Sequence, residues 1–270
     1  MNRQVCRNLE ELPTDWATGA AEAHTGENAN LSTMAGIRER ARAEVTGEIK
    51  RLAREQLAVA GAPGLSLRAI SRDLGMVSSA IYRYFPSRDD LLTALIVDAY
   101  ESIGFAAQQA DATVISRDPF LRWSAVGMAA YQWAAASPSE YGLIFGTPVP
   151  GYAAPADTIG PATQFTSVLL TVLGDAQELG RFQSVHMPIS PELAIDLADM
   201  RARLHLDIGD ELLAAGLLSW VALFGAISLI RFGHLTNVIS DKDEFFKNVL
   251  AQLATGVLGL TSATITGVRS

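Results

Sequence analysis

A single cysteine, Cys6, stands among the 270 residues, so no intrachain disulfide can form and no disulfide framework can hold the fold. No charged-then-apolar segment opens the chain either, which makes a reducing cytoplasm the expected compartment. Histidine is scarce: the four, at positions 24, 186, 205 and 234, lack the spacing of metal ligands. A glycine-rich phosphate loop, a paired metal motif and a nucleophile elbow are all missing. The common starting points for catalysis are therefore excluded, and the chain is expected to be no enzyme and to need no metal and no cofactor. Strand-like alternation of apolar and polar residues is equally rare, whereas helical spacing recurs along the whole chain.

With 49% hydrophobic and 19% charged residues, the chain can bury a substantial core and form one large domain or two smaller ones. A net charge of −8 disfavours polyanion binding by the molecule as a whole, but the charge is unevenly placed. Residues 37–88 hold ten Arg or Lys against five Asp or Glu, a balance of +5, while residues 111–270 hold nine against fifteen, a balance of −6. A nucleic-acid partner is thus expected at the basic end.

At that end, residues 64–92 read GLSLRAISRDLGMVSSAIYRYFPSRDDLL. Ser66 is a candidate N-cap for a first short helix carrying Leu67, Ile70 and Leu74 on one stripe, and Gly75 permits a sharp turn. A second helix starts near Ser78. With Ile81 facing the core at about 100° per residue, Val77, Tyr84 and Phe85 fall on or near the same side, and Ser79, Tyr82 and Arg83 face outward. Pro86 ends it, and Ser87 with Asp90 reads as a capping box for a third helix, whose inner stripe is Leu91, Leu92, Leu95 and Ala99. Arg88 sits in the first turn of that helix, where backbone amides and the positive dipole end favour a phosphate. This is the layout of a helix-turn-helix, with hydroxyl, guanidinium and phenol groups suited to base edges and phosphates.

The run Ile81, Tyr82, Arg83, Tyr84, Phe85, Pro86, Ser87, Arg88 resembles the recurring pattern of the tetracycline-repressor family of bacterial regulators: an aliphatic residue, Tyr, any residue, His, Phe, Pro, a polar residue and Lys. The likeness is gap-free from Gly64 to Leu92 and, with the preceding helix, spans residues 37–110. It implies that Tyr82, Tyr84 and Arg88 touch phosphates and that Arg68, Ser78 and Ser79 lie where base contacts are made. Tyr84 stands where the family has histidine and Arg88 where it has lysine, the latter keeping the charge with a flatter fork. Arg83 turns outward on the wheel, yet some relatives pack an aromatic inward there, so its base contact stays open.

The expected fold is all-α: a tail over 1–35, a helix-turn-helix domain over 36–86, a connecting helix over 87–110 and a helical effector-binding and dimerisation body over 111–270. Met34, directly before the family-like region, is an alternative start. The first long helix, 37–60, carries Val45, Ile49, Leu52, Ala53 and Ala60 on its apolar stripe, and Arg40 and Arg42 either reach the DNA backbone or stay solvated. Body helices are expected at 118–136, 138–145, 158–182, 191–206, 209–232 and 241–258, the last capped by Ser240 with Asp243. Four prolines and three glycines in residues 146–161 make that stretch a loop of the kind that borders cavities.

Trp123, Tyr131, Trp133, Phe145 and Phe165 either line an apolar pocket for a small effector or form ordinary core, and His186 either bonds a ligand or caps a helix end. Leu212–Ile230 is free of charge and long enough to approach a membrane span. Its small and polar residues, Gly216, Ser219, Trp220, Gly225 and Ser228, favour a buried dimer helix without membrane contact. Trp220, Phe224, Phe245, Val249, Leu253 and Val257 are expected at a seam between two copies, and the resemblance, which extends to bodies found in actinobacterial members, implies dimerisation through the last two helices. The function expected is that of a homodimeric regulator, a repressor of a palindromic double-stranded operator, released by an unidentified small molecule. The rival is a ligand- or protein-binding module that uses the helix-turn-helix only as scaffold.

Overall fold

The computed structural model describes residues 25–185 and 188–261. The helices are α1 (Thr25–Ala60), α2 (Leu67–Asp73), α3 (Ser78–Ile81), α4 (Arg88–Thr113), α5 (Pro119–Ala136), α6 (Pro138–Phe145), α7 (Ile159–Glu178), α8 (Pro191–Leu204), α9 (Asp210–Arg231) and α10 (Lys242–Gln252), the last running into a π-helical turn at Leu253–Val257. Among the described residues the only extended pairing is an isolated bridge between Phe182 and Leu260. The chain divides between Gly47 and Glu48 into two compact units, so the α2–α3 region packs in the same unit as the helices that follow it.

Most helix starts follow local chemistry. Ser66 accepts from the Ala69 amide at 3.3 Å, Ser87 from that of Asp90 at 3.1 Å, and Asp118 from those of Phe120 and Leu121, each relieving amides that have no intrahelical partner. At α4 the Asp90 carboxylate accepts from the Ser87 hydroxyl at 2.7 Å, instead of reaching back to an amide as a full capping box would. The cap of α10 is Asp241, which accepts from Glu244 N at 2.9 Å, one residue beyond the Ser240 expected. Aspartate fills this role as well as serine, so the spacing alone left two adjacent candidates.

Three further expectations change. Helix α1 begins at Thr25, so residues 25–35 extend the helix that was expected to start at Ile37. Between Thr25 and Ile37 there is no proline, and adding a turn to an existing helix avoids the cost of nucleation. Residues 1–24 lie outside the described residues. In the last turn of α1, Leu57 is buried and Ala60 exposed, because the stripe continues from Ile49 and Ala53 at four-residue spacing. Val77 is 71% exposed, since it is the extended residue before α3 and the helical wheel does not apply to it.

The interior of the larger unit is a cluster to which α4, α5, α7, α9 and α10 contribute, with Trp123, Tyr141, Phe246, Ile103 and Leu173 among its fully buried side chains. The carboxy-terminal end is fastened by Gln183 N donating to Gly259 O at 2.8 Å and Thr261 N to Arg181 O at 3.0 Å. Gly259 is obligatory there: its φ is +63°, and a Cβ would lie 1.9 Å from the Gln183 carbonyl oxygen.

One ion cluster crosses the helix layers. Arg122 of α5, 90% buried, donates Nε and Nη2 to both oxygens of Asp111 at 2.7 and 2.8 Å and also bonds Asp175 of α7. Hydrogen bonds to Asp111 hold the Arg122 guanidinium above its ordinary value against desolvation. Burial works to raise the Asp175 carboxyl, and the hydrogen bonds from Arg122 and Arg117 outweigh it, holding the carboxyl below its ordinary 3.8. Arg122→Ala leaves two half-buried carboxylates facing each other, and a loss of about 3 kcal/mol is expected in urea unfolding. A group with a depressed folded-state value contributes stability above its unfolded value and loses it as pH falls through the folded one. Wild type should therefore lose stability more steeply than Arg122→Ala as pH drops below 3.8, which thermal midpoints across an acid series will measure.

Candidate nucleic-acid interface

The candidate DNA-contact surface is assembled on short helices. At the end of α2, Gly75 adopts φ +64°, Met76 N donates to Ser71 O at 2.8 Å and Gly75 N to Arg72 O at 3.0 Å. These two bonds form a Schellman turn that re-aims the chain toward α3. Helix α3 has four residues and continues as tight turns, with Arg83 N to Ala80 O at 3.2 Å and Tyr84 N to Ile81 O at 2.9 Å. Ile81 and Phe85 are buried beneath it, and Gln56 of α1 accepts from Ser66 N at 2.8 Å to set the start of α2.

Burial inside forces exposure outside. Arg68, Ser78, Ser79, Tyr82 and Arg83 are exposed, Tyr84 and Arg88 are half-buried, and Tyr82 shows 41% of its surface. Ser78 and Tyr82, and likewise Ser79 and Arg83, are four residues apart and follow one side of the α3 turns. Arg88 is otherwise occupied than expected: its Nη2 donates to the Ala62 carbonyl at 2.6 Å and its Nη1 approaches Asp89 at 3.3 Å. Its guanidinium thus ties the first turn of α4 to the turn that follows α1. Arg42 is exposed and belongs to the smaller unit.

Residues 50–54 of α1 are tied to α4 and α6 by contacts that spacing along the chain does not reveal. Asp98 of α4 accepts from Lys50 Nζ and Arg54 Nη2, each at 2.7 Å. Arg54 Nε also lies 3.3 Å from Glu140 of α6. The partners are 44 to 48 residues apart along the chain for Asp98, well beyond any helical repeat.

The residues considered for an effector pocket do not all meet at one place. Trp123 is fully buried, with its indole N–H on the Leu250 carbonyl at 3.3 Å. It floors a pocket of about 220 Å³ that also includes Leu170, Met200 and Trp220. Tyr131 stacks on Phe246 at 4.3 Å and donates to Asp243 at 2.6 Å, while Trp133 donates to Ser102 at 2.9 Å. Phe145 and Phe165 pack on Phe224 at 4.2 and 5.2 Å. His186 lies outside the described residues. Among the described residues no group of three or more His, Cys, Asp or Glu could hold a metal.

The seam expected between copies is corrected in part. Phe224 and Leu253 are 7% and 8% exposed, inside the protomer core, because an apolar residue on a helix that is apolar all round carries no mark of which side it takes. Trp220, Phe245, Val249 and Val257 are half-buried against that core. The outward side of α9 is Leu217, Leu218, Val221 and Leu229, each between 43% and 54% exposed. Among the described residues α9 alone is long and apolar enough to cross a membrane, and 44% of its most apolar window is buried.

Known proteins place these features. Residues 49–95 match the family model described as bacterial regulatory proteins of the tetR family, and residues 123–253 match the tetracyclin repressor-like C-terminal domain. An HTH-type transcriptional regulator of Mycobacterium tuberculosis is 38% identical over 205 residues, covering 74% of this chain and 86% of the relative, and a Mycobacterium bovis regulator matches equally. The crystal structure of one regulatory protein, 35% identical, superposes with a TM-score of 0.66 over 80% of this chain and 97% of its own. At 15% identity, the TetR-family regulator PfmR of Thermus thermophilus shares the fold with a TM-score of 0.53 over 76% of this chain and 96% of its own. With its helix-turn-helix and its helical body both matched, the chain belongs to the tetracycline-repressor family of bacterial helix-turn-helix transcriptional regulators.

Proposed function

We propose that the protein works as a cytoplasmic homodimer that represses transcription from a roughly palindromic operator and is released by a small molecule, with no catalytic step and no membrane contact. The observation that carries this reading is the exposed set of Arg68, Ser78, Ser79, Tyr82 and Arg83 on a basic head joined to an acidic helical body. Two such heads read successive major grooves when they stand about 34–36 Å apart. A ligand that prefers another separation weakens DNA binding by its difference in affinity for the two states.

Contacts sort by chemistry. Tyr82 and Tyr84 hold phosphates, Arg68, Ser78 and Ser79 read base edges, and Arg83 adds a cation beside them. Arg88 joins the phosphate set by exchanging the Ala62 carbonyl for a phosphate oxygen, a stronger acceptor for a guanidinium. Arg42, on the smaller unit, supplies a further backbone contact. The second copy covers Leu217, Leu218, Val221 and Leu229 of α9, with Trp220, Phe245 and Val249 at the margin. Such a row of large apolar residues is what an interface removes from water.

On genomic fragments recovered with the purified chain, Arg88→Ala is expected to weaken binding across sequences and to flatten the salt dependence by about one unit of slope. Ser79→Ala instead changes which sequences are preferred, and unchanged slope and preference in both variants would contradict the assignment. Replacing Leu218 and Val221 together by Asp should convert the dimer to a folded species near 28.8 kDa in light scattering, because both side chains are already half-exposed in the protomer. A mass twice that value for the double variant would remove α9 from the seam.

A further inference from the structure

Between the end of α1, helix α6 with the proline-rich loop, and the end of α9 lies a pocket of about 860 Å³, within the range of small-molecule sites. Leu57 and Ala62 line it from the end of α1 and the turn after it, Phe145 and Val149 from α6 and the loop that follows, and Phe232 from the end of α9. Phe232 is 51% exposed although it lies 6.1 Å from the Tyr141 ring, so half of its surface is left uncovered. Neither an acidic nor a basic side chain lines the pocket. An ionised ligand would therefore lose its hydration without gaining a partner.

The polar groups present narrow the ligand further. The Tyr141 hydroxyl lies 3.2 Å from the Phe224 carbonyl and 2.7 Å from Ser228 Oγ. With the phenol donating to the carbonyl, Ser228 donates to the phenol and keeps its own lone pairs to accept from a ligand. We infer that this pocket takes a neutral, largely aromatic molecule carrying an O–H or N–H that donates to Ser228, seated between Phe232 and the aliphatic walls. The occupant touches Ala62, whose carbonyl is the acceptor for Arg88 at the first turn of α4, so filling the pocket acts on the turn that joins α1 to α2. That last link rests on the regulator reading above, whereas the binding does not.

Gly142 provides a test, because it lines the pocket and a Cβ built on it meets nothing within 4 Å. The probe is N-phenyl-1-naphthylamine, neutral, fluorescent in apolar surroundings and bearing one N–H, titrated into the full chain without DNA. Saturable binding at one probe per chain is expected, about tenfold weaker in Gly142→Met and several-fold weaker in Ser228→Ala. Thr166→Met, which crowds the separate pocket floored by Trp123, should bind as wild type does. The sulfonated analogue 8-anilino-1-naphthalenesulfonate should bind about tenfold more weakly. Unaltered probe binding by Gly142→Met with native helix content, or loss of binding in Thr166→Met alone, overturns the site. Should Gly142→Met fail to fold, equal affinities of Ser228→Ala and wild type, or of the two probes, do the same. DNA retention is read separately: the neutral probe should lower wild-type affinity for recovered fragments and leave that of Gly142→Met unchanged. Probe binding without that change refutes the coupling and leaves the pocket standing.

Discussion

One shared carboxylate ties the second half of α1 to α4. Asp98, in the middle of α4, accepts from Lys50 and Arg54 at 2.7 Å each, and Glu140 of α6 approaches the same Arg54. Side chains of Lys50, Asp98 and Glu140 are 23% exposed, so the pairs are partly shielded from water and stronger than free surface pairs, which contribute little. Below them Ile49, Ala53 and Leu57 bury the same helix, and at its end Arg88 holds the Ala62 carbonyl. The consequence is mechanical. The stretch from Lys50 to Ala62 is thereby tied to α4 through Asp98 and Arg88, and to α6 through Glu140.

What was legible in the chain was what local rules control. Ser66 and Ser87 mark helix starts because a side-chain oxygen must satisfy amides that the helix leaves open, and Gly75 marks the turn because φ there is positive. The outward set on α2 and α3 follows from burying Ile81 and Phe85. Long-range choices were not legible. Lys50 and Arg54 look like any solvated flank until the fold brings Asp98 beside them. Likewise Phe224 and Leu253 carry no sign that they face their own core, since α9 is apolar on most sides and only packing decides which residues it turns outward.

The aromatic residues of the body illustrate the same limit. Trp123, Tyr131, Phe145 and Phe165 are all rings on helices, yet they go to three different places: Trp123 to a backbone carbonyl, Tyr131 to Phe246 and an aspartate, and Phe145 and Phe165 to Phe224. Pocket formation depends on what fails to meet, and the gap beside Gly142 arises from a missing side chain between two elements far apart in sequence. The proline-rich stretch was the one sequence sign of that gap, since prolines and glycines there prevent the helix that would otherwise close it.

The basic end of the chain and its acidic helical body are bridged at Asp98, a residue outside the candidate DNA-contact set. The most direct measurement is the affinity of Asp98→Asn for recovered genomic fragments and for unrelated DNA at equal salt. If the carboxylate sets head posture, specific affinity falls about tenfold while affinity for unrelated DNA does not fall, because the cations of Lys50 and Arg54 remain. Unchanged specific affinity would contradict the account and leave the head indifferent to the body.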